Sequence, residues 1–170
     1  MKKTRVISAF PATGKSTLAN YMDTGKTFLD LDSSEFNYAL DSEGNPTDQL
    51  NPVDVKMDLY IKAITNEVRS GKYDYVMVST HPVVVEAVSK LGVSWIGVMP
   101  LKSCRDHWIE RILQRDDNKA LAHFVRVNWE EITSFEDGLD EKNMIQYILL
   151  GADQYLSEDY IWDRGLRQKI

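Results

Sequence analysis

Cysteine is nearly missing from this chain. Cys104 stands alone, so no intramolecular disulfide can form, and with only three histidines a Cys/His zinc site lacks ligands. Long apolar runs are missing too. The basic opening Met1-Lys2-Lys3-Thr4-Arg5 is followed by an apolar stretch that stops at Pro11, too short for a signal peptide or a membrane span. With the free thiol, this predicts a reducing, cytoplasmic setting and no membrane attachment. Five prolines and nine glycines make no linker-like stretch, and no repeat or low-complexity tract interrupts the chain, so its 170 residues read as one domain. Basic residues do not dominate either: 20 Lys and Arg face 26 Asp and Glu, a net charge of −6. That excludes a general binder of duplex DNA or anionic membrane, but not a local basic patch over an anionic substrate. Apolar material is sufficient at 43%, so a core forms without staples.

Strand and helix patterns alternate along the chain. Val6–Phe10 reads as a short buried strand and Lys15–Met22 as a helix ended near Thr24-Gly25. Thr27–Asp32 is a second strand. Asp41–Pro52, rich in Asp, Ser, Gly, Asn and Pro, reads as a loop, and Val53–Arg69 as a helix closed by Ser70-Gly71. Then follow a strand at Tyr73–Thr80, a helix at Val83–Leu91, a strand at Val93–Met99 stopped by Pro100, helices at Ser103–Gln114 and Lys119–Phe135, and a strand at Ile145–Leu150. A helix or turn is expected around Tyr155–Trp162. Apolar strands joined by crossover helices imply an α/β fold with a parallel sheet covered on both faces.

The sharpest motif is Ala9-Phe10-Pro11-Ala12-Thr13-Gly14-Lys15-Ser16-Thr17, between the first strand and the first helix. It matches the P-loop pattern G-x-x-x-x-G-K-[ST] except that Ala9 replaces the first glycine. Backbone N–H groups from Ala12 to Thr17 make a nest for phosphates, Lys15 adds a positive charge for the β- and γ-phosphates, and Ser16 supplies a hydroxyl for Mg²⁺. Ala9 weakens the match where a first glycine's φ freedom is needed.

Asp30-Leu31-Asp32-Ser33-Ser34 ends the second strand. Alternation places Asp30 and Asp32 on one face, on the rim that carries the P-loop. Asp30 is the candidate for the Mg²⁺ shell; Asp32, with Ser33, is the candidate for orienting or deprotonating an acceptor hydroxyl. The bland alternative is a pair of solvated carboxylates beside an Asx turn. Arg111 and Arg115, four apart, share a helix face and are candidate clamps on the transferring phosphoryl group; the alternative is a solvated face pairing with Glu110, Asp116 and Asp117. The third strand ends Val78-Ser79-Thr80-His81, with no carboxylate where many P-loop ATPases place one, which argues against motor-type and AAA-type ATPases. His81 reads as a structural strand-end histidine, with substrate contact as its alternative role. Cys104, His107, His123 and the four tryptophans read as structural, although Trp108 and Trp129 could line the nucleotide side.

With a P-loop, then Asp-x-Asp, then Arg-x-x-x-Arg after the fourth strand, the chain resembles the small P-loop kinases of the adenylate, shikimate and nucleoside kinase group. It looks most like short P-loop kinase-like proteins of bacteriophages, through Gly14-Lys15-Ser16, Leu29-Asp30-Leu31-Asp32-Ser33-Ser34-Glu35-Phe36, Val78-Ser79-Thr80-His81 and Gln154-Tyr155-Leu156-Ser157. The resemblance implies a three-layer α/β/α domain with a five-stranded parallel sheet of order 2-3-1-4-5. It also implies an acceptor-binding region at about 33–69, a helical lid at about 104–124, and ATP with Mg²⁺ as cofactors. One departure concerns the acceptor: from Ser33 to Arg69 the only cations are Lys56, Lys62 and Arg69, few for holding a monophosphate.

The function expected is ATP-dependent phosphoryl transfer to a small acceptor, a nucleoside or (deoxy)nucleotide. Two alternatives stand beside it. One is a polynucleotide or modified-base DNA kinase, with Arg105, Arg111, Lys119 and Arg126 along the strand; the other is a nucleotide-binding regulatory module without turnover. Sequence leaves the oligomeric state open.

Overall fold

The computed structural model describes residues 3–21, 25–36, 38–43, 46–50, 56–116, 119–134 and 143–157. Its centre is a five-stranded, all-parallel sheet: β1 (Arg5–Ala9), β2 (Phe28–Asp30), β5 (Tyr75–Val78), β6 (Trp95–Pro100) and β7 (Met144–Leu150). The spatial order is β2-β5-β1-β6-β7, so counting these five strands along the chain the order is 2-3-1-4-5, as expected. β5, with all four residues buried, and β6, buried throughout, are continuous apolar runs, which is the signature of strands covered on both faces.

Helices supply the two outer layers. On one face, Leu18 of α1 (Lys15–Tyr21), Trp108, Ile109 and Ile112 of α4 (Arg105–Asp116), Ala122 and Val125 of α5 (Lys119–Val127) and Trp129 of α6 (Trp129–Thr133) pack with Ile7, Met77, Ile96 and Ile148 of the sheet. On the other, Tyr60, Ile64 and Val68 of α2 (Met57–Ser70) and Val84, Val85 and Val88 of α3 (Pro82–Lys90) pack on Val6, Val76, Val78 and Trp95. The buried α2 residues recur every four positions, the stripe a core-facing helix needs. Gly97 in β6 is required by its neighbour: a Cβ there would lie 2.8 Å from the Tyr147 ring on β7. Together these features define a three-layer α/β/α domain around a five-stranded parallel sheet.

Several elements differ from the sequence expectation. The expected loop Asp41–Pro52 contains β4 (Pro46–Leu50), which pairs antiparallel with β3 (Tyr38–Leu40). Asp41 does form a turn there, its Oδ1 accepting from Glu43 N–H at 2.9 Å, but the ribbon's second strand is polar and lacks the alternation that marks a half-buried strand. The single helix expected over Lys119–Phe135 is two, α5 and α6, parted at Asn128. That side chain bonds back to the Phe124 carbonyl at 2.8 Å, the local competition that disfavours Asn inside helices. A 3₁₀ turn, Lys102–Cys104, precedes α4. Strand β2 ends at Asp30, so strand alternation does not reach Asp32. Val53–Val55, Phe135 and the stretch from 158 through Trp162 lie outside the described residues; Tyr155–Ser157 form no regular element.

Candidate active site

The phosphate loop is built where β1 leaves the centre of the sheet. Phe10 N–H still donates to the Val98 carbonyl at 3.0 Å. The chain then turns: Ala12 takes a left-handed φ of 60°, Gly14 a φ of 97°, and Thr13 Oγ1 donates to the Phe10 carbonyl at 2.7 Å inside the protein. Helix α1 starts at Lys15. The left-handed position is therefore Ala12, whereas Ala9 is the buried last residue of β1 and is not among the positive-φ residues. Replacing the first glycine of the pattern carries no backbone strain. Gly14 is needed for its φ and for its surroundings, since Tyr155 covers it at 3.4 Å from the Cβ position, and Leu156 N–H donates to the Thr13 carbonyl at 2.8 Å.

Lys15 folds back along its own loop, Nζ donating to the carbonyls of Ala9 at 3.0 Å and Phe10 at 3.4 Å. Burial lowers its pKa below the usual lysine value; Asp30 and Asp32 oppose this, and Arg115 adds to it. Lys15, Asp30, Asp32 and Arg115 thus share one electrostatic neighbourhood. Ser16 Oγ donates to Asp30 Oδ2 at 2.6 Å, and Asp30 Oδ1 is buried with no hydrogen-bond partner. A hydroxyl beside a carboxylate with an unused buried oxygen suits a hard cation such as Mg²⁺. Among the described residues there is no cluster of three or more His, Cys, Asp or Glu that could hold a metal, so most of such an ion's oxygens would come from water and phosphate. Asp32 also caps the 3₁₀ turn Ser33–Phe36, Oδ1 accepting from Ser34 N–H at 2.9 Å.

The two arginines part company. Arg115 is exposed, within electrostatic reach of Lys15. Arg111 is half-buried: its guanidinium donates to the carbonyls of Ala12 at 3.5 Å, Gln154 at 3.0 Å and Ala152, between the rings of Trp108 at 4.3 Å and Tyr155 at 4.0 Å. Spacing predicts a clamp on the transferring phosphoryl group, with a solvated face as its alternative; the structure makes Arg111 a tie between the phosphate loop, α4 and the segment after β7. Helix α4 is itself anchored, its Trp108 Nε1–H donating to the Pro11 carbonyl at 3.0 Å. Trp129 bonds the Lys102 carbonyl at 3.0 Å, so both tryptophans pack as structural residues. Thr17 is exposed and Ser33 half-buried. His81 caps the start of α3 through its carbonyl, its exposed imidazole without a hydrogen bond among the described residues. The protein around it lowers its pKa, so it stays neutral near pH 7.

The residue that sequence reading missed is Tyr60, whose hydroxyl bridges the ends of β2 and β5. In sequence it looks like any apolar position of an amphipathic helix. Asp30 and Asp32 do add to the rise in its pKa, which burial, the leading cause, pushes up to about 12.

No family model and no curated protein matches the sequence. Among solved structures, a gluconokinase from Sinorhizobium meliloti 1021 is similar at 14% identity, over 91% of this chain and 86% of that one, with a TM-score of 0.48. No helix among the described residues is long and apolar enough to cross a membrane.

The lowered Lys15 pKa gives a pH signature. Phosphates favour the ammonium form, so bound Lys15 titrates above free Lys15. If the loop binds nucleotide as proposed below, affinity should be level below the free-state pKa and fall as pH rises from that value toward the bound-state one. Calorimetry of ATP binding between pH 6 and 10 measures it. Affinity unchanged across that span would mean that Lys15 is not the titrating contact.

Proposed function

We propose that this protein transfers the terminal phosphoryl group of ATP to a small acceptor, a nucleoside or (deoxy)nucleotide, with Mg²⁺ as cofactor. The observation that carries the reading is the convergence on Lys15: the loop that holds it, two carboxylates at the end of β2 and an arginine of α4, three chain segments in all, act electrostatically on one ammonium group. Amide groups from Ala12 to Thr17 cradle the phosphates, and Lys15 turns from its own carbonyls to the β- and γ-phosphates. Ser16 and Asp30 would hold Mg²⁺, which when bound neutralises charge on the phosphates. Asp32, with Ser33 and His81, orients the acceptor hydroxyl and takes its proton. Arg115 supplies charge to the transferring group.

The acceptor region is assigned to 33–69. The lid expected at 104–124 contains α4, whose Trp108, Ile109 and Ile112 pack in the core. It is therefore a fixed wall of the site, with the exposed Arg115 rather than Arg111 as its acting arginine. The acceptor region holds seven Asp and Glu against Lys56, Lys62 and Arg69. That balance favours an acceptor that is neutral where this region grips it, such as a nucleoside.

ADP release measured over nucleosides, deoxynucleoside monophosphates and single-stranded oligonucleotides, with Lys15→Ala as control, tests the reading. Stimulation by a nucleoside or nucleotide supports it. Stimulation by oligonucleotides alone moves the function to a polynucleotide kinase, and tight ATP binding with no stimulation moves it to a regulatory module.

Asp32→Asn separates roles within the site. Asparagine caps a helical turn as well as aspartate does, so the Ser33–Phe36 turn survives while the proton acceptor is lost. Acceptor-stimulated turnover should fall by about 10²–10⁴-fold, with ATP affinity little changed. Loss of ATP affinity with normal acceptor kinetics would make Asp32 a metal-shell group instead.

A further inference from the structure

The ladder between β2 and β5 has a foreign atom in its last rung. Asp30 lies opposite Met77, and Leu31 N–H donates to the Met77 carbonyl at 2.9 Å. In a parallel ladder the next bond runs from Ser79 N–H to the Leu31 carbonyl. Here Ser79 N–H instead donates to Tyr60 Oη at 2.9 Å, and the Tyr60 hydroxyl donates to the Leu31 carbonyl at 2.9 Å. The phenol has been inserted between two groups that would otherwise bond directly. The Leu31 carbonyl, the Ser79 N–H and the phenol are all satisfied, although the Ser79 hydroxyl beside them is buried without a hydrogen-bond partner. The insertion must hold the strand ends further apart than a direct rung does.

We infer that Tyr60 is a positioning residue for the acceptor: its hydroxyl is a spacer that holds the ends of β2 and β5 apart and sets Asp32 against Ser79, Thr80 and His81. This rests on the phosphoryl-transfer reading for its kinetic consequence, though not for its geometry. The chain leaves β2 through Asp32 and β5 through His81, so a change in the gap moves one relative to the other. The surroundings fix the spacer. Tyr60 is fully buried on α2, its ring packs 5.0 Å from that of Phe36, and the Ser79 carbonyl is held from the other side by Ser8 Oγ at 3.0 Å. With its pKa pushed up to about 12 the phenol stays protonated, as donation to the Leu31 carbonyl demands. Phe36 and Tyr60 both belong to the proposed acceptor region, so a ligand seated there would press on the residues that set the gap.

Tyr60→Phe removes one oxygen and keeps the ring. The strand ends should then close into a direct Ser79–Leu31 bond. Acceptor KM should rise, or acceptor-stimulated kcat fall, on the order of 10–100-fold, as a misplacement of reacting groups by about 1 Å costs. ATP affinity, set at the phosphate loop, should stay within about twofold. Site-specific 3-fluorotyrosine at position 60 keeps the hydroxyl and should behave as wild type in every measurement. A crystal structure of the Phe variant reads the Leu31–Ser79 separation directly. Unchanged acceptor kinetics in Tyr60→Phe overturn the inference. If wild type turns over no acceptor, the phosphoryl-transfer reading fails, and the separation alone decides the spacer: an unchanged gap overturns it.

Discussion

Replacing Lys15 with alanine should abolish acceptor-stimulated turnover, by about 10²-fold or more, and leave the apo protein's melting temperature close to wild type. The two halves have different causes. Turnover fails because no other group in the loop brings a full positive charge to the phosphates, and backbone dipoles alone do not match charge building up at the transition state. Stability survives because two changes oppose each other. The Nζ bonds to the Ala9 and Phe10 carbonyls are lost, but so is a cation whose charged form burial disfavours. Phe10's carbonyl keeps the Thr13 hydroxyl as a partner. Wild-type kinetics in the variant would remove the loop from the chemistry, and a variant that fails to fold would recast Lys15 as a structural tie.

Arg111→Ala and Arg115→Ala should separate stability from turnover. Arg111 donates to three carbonyls from two segments and lies between two aromatic rings. Hydrogen bonds to a charged group contribute about 1.5–3 kcal/mol and a cation–π contact about 0.5–2 kcal/mol, and these do not add fully. Arg111→Ala should cost about 2–4 kcal/mol, roughly 5–15 °C in melting temperature for a domain of this size. Lysine should restore little, because a point charge cannot span several carbonyls and stack at once. Arg115→Ala should shift stability by no more than about 0.5 kcal/mol, as exposed positions do, yet cut turnover on the order of 10²-fold; lysine should recover part. Thermal melts and ADP release on the four variants read both effects. An equal loss of stability from the two alanine variants, or none from either, would refute the division.

That division marks where sequence reasoning reached its limit. Spacing puts Arg111 and Arg115 on the same side of a helix, and no periodicity distinguishes a guanidinium facing water from one facing carbonyls supplied by residues 152 and 154. One clue was present: Trp108 precedes Arg111 by three, the spacing at which a ring and a cation meet on a helix. The phosphate loop was legible because its function demands fixed residue types at fixed intervals between a strand and a helix. The parallel sheet was legible because β5 and β6 are apolar throughout. Its strand order came with the resemblance, since order is a property of crossovers and not of any one strand. The β3–β4 ribbon was hidden by its polar second strand, and the break at Asn128 by apolar residues that continue in helical spacing across it. Tyr60 was hidden most completely, because burial of an aromatic ring and placement of its hydroxyl leave the same mark in a sequence.

The segment after β7 gives the phosphate loop an unusual history. The loop finds its supports far along the sequence: β1 lies between β5 and β6 in the sheet, and Tyr155 and Leu156, beyond β7, rest on Gly14 and Thr13. A nascent chain therefore carries every residue of the motif long before it can grip a polyphosphate. Contacts of such long reach are slow to form, and a ligand that binds only the finished loop draws the equilibrium toward the state in which the loop and the segment after β7 are fastened together. On the proposed reading, nucleotide would then act first as a witness to completed folding, sealing the loop before α1 to the segment after β7.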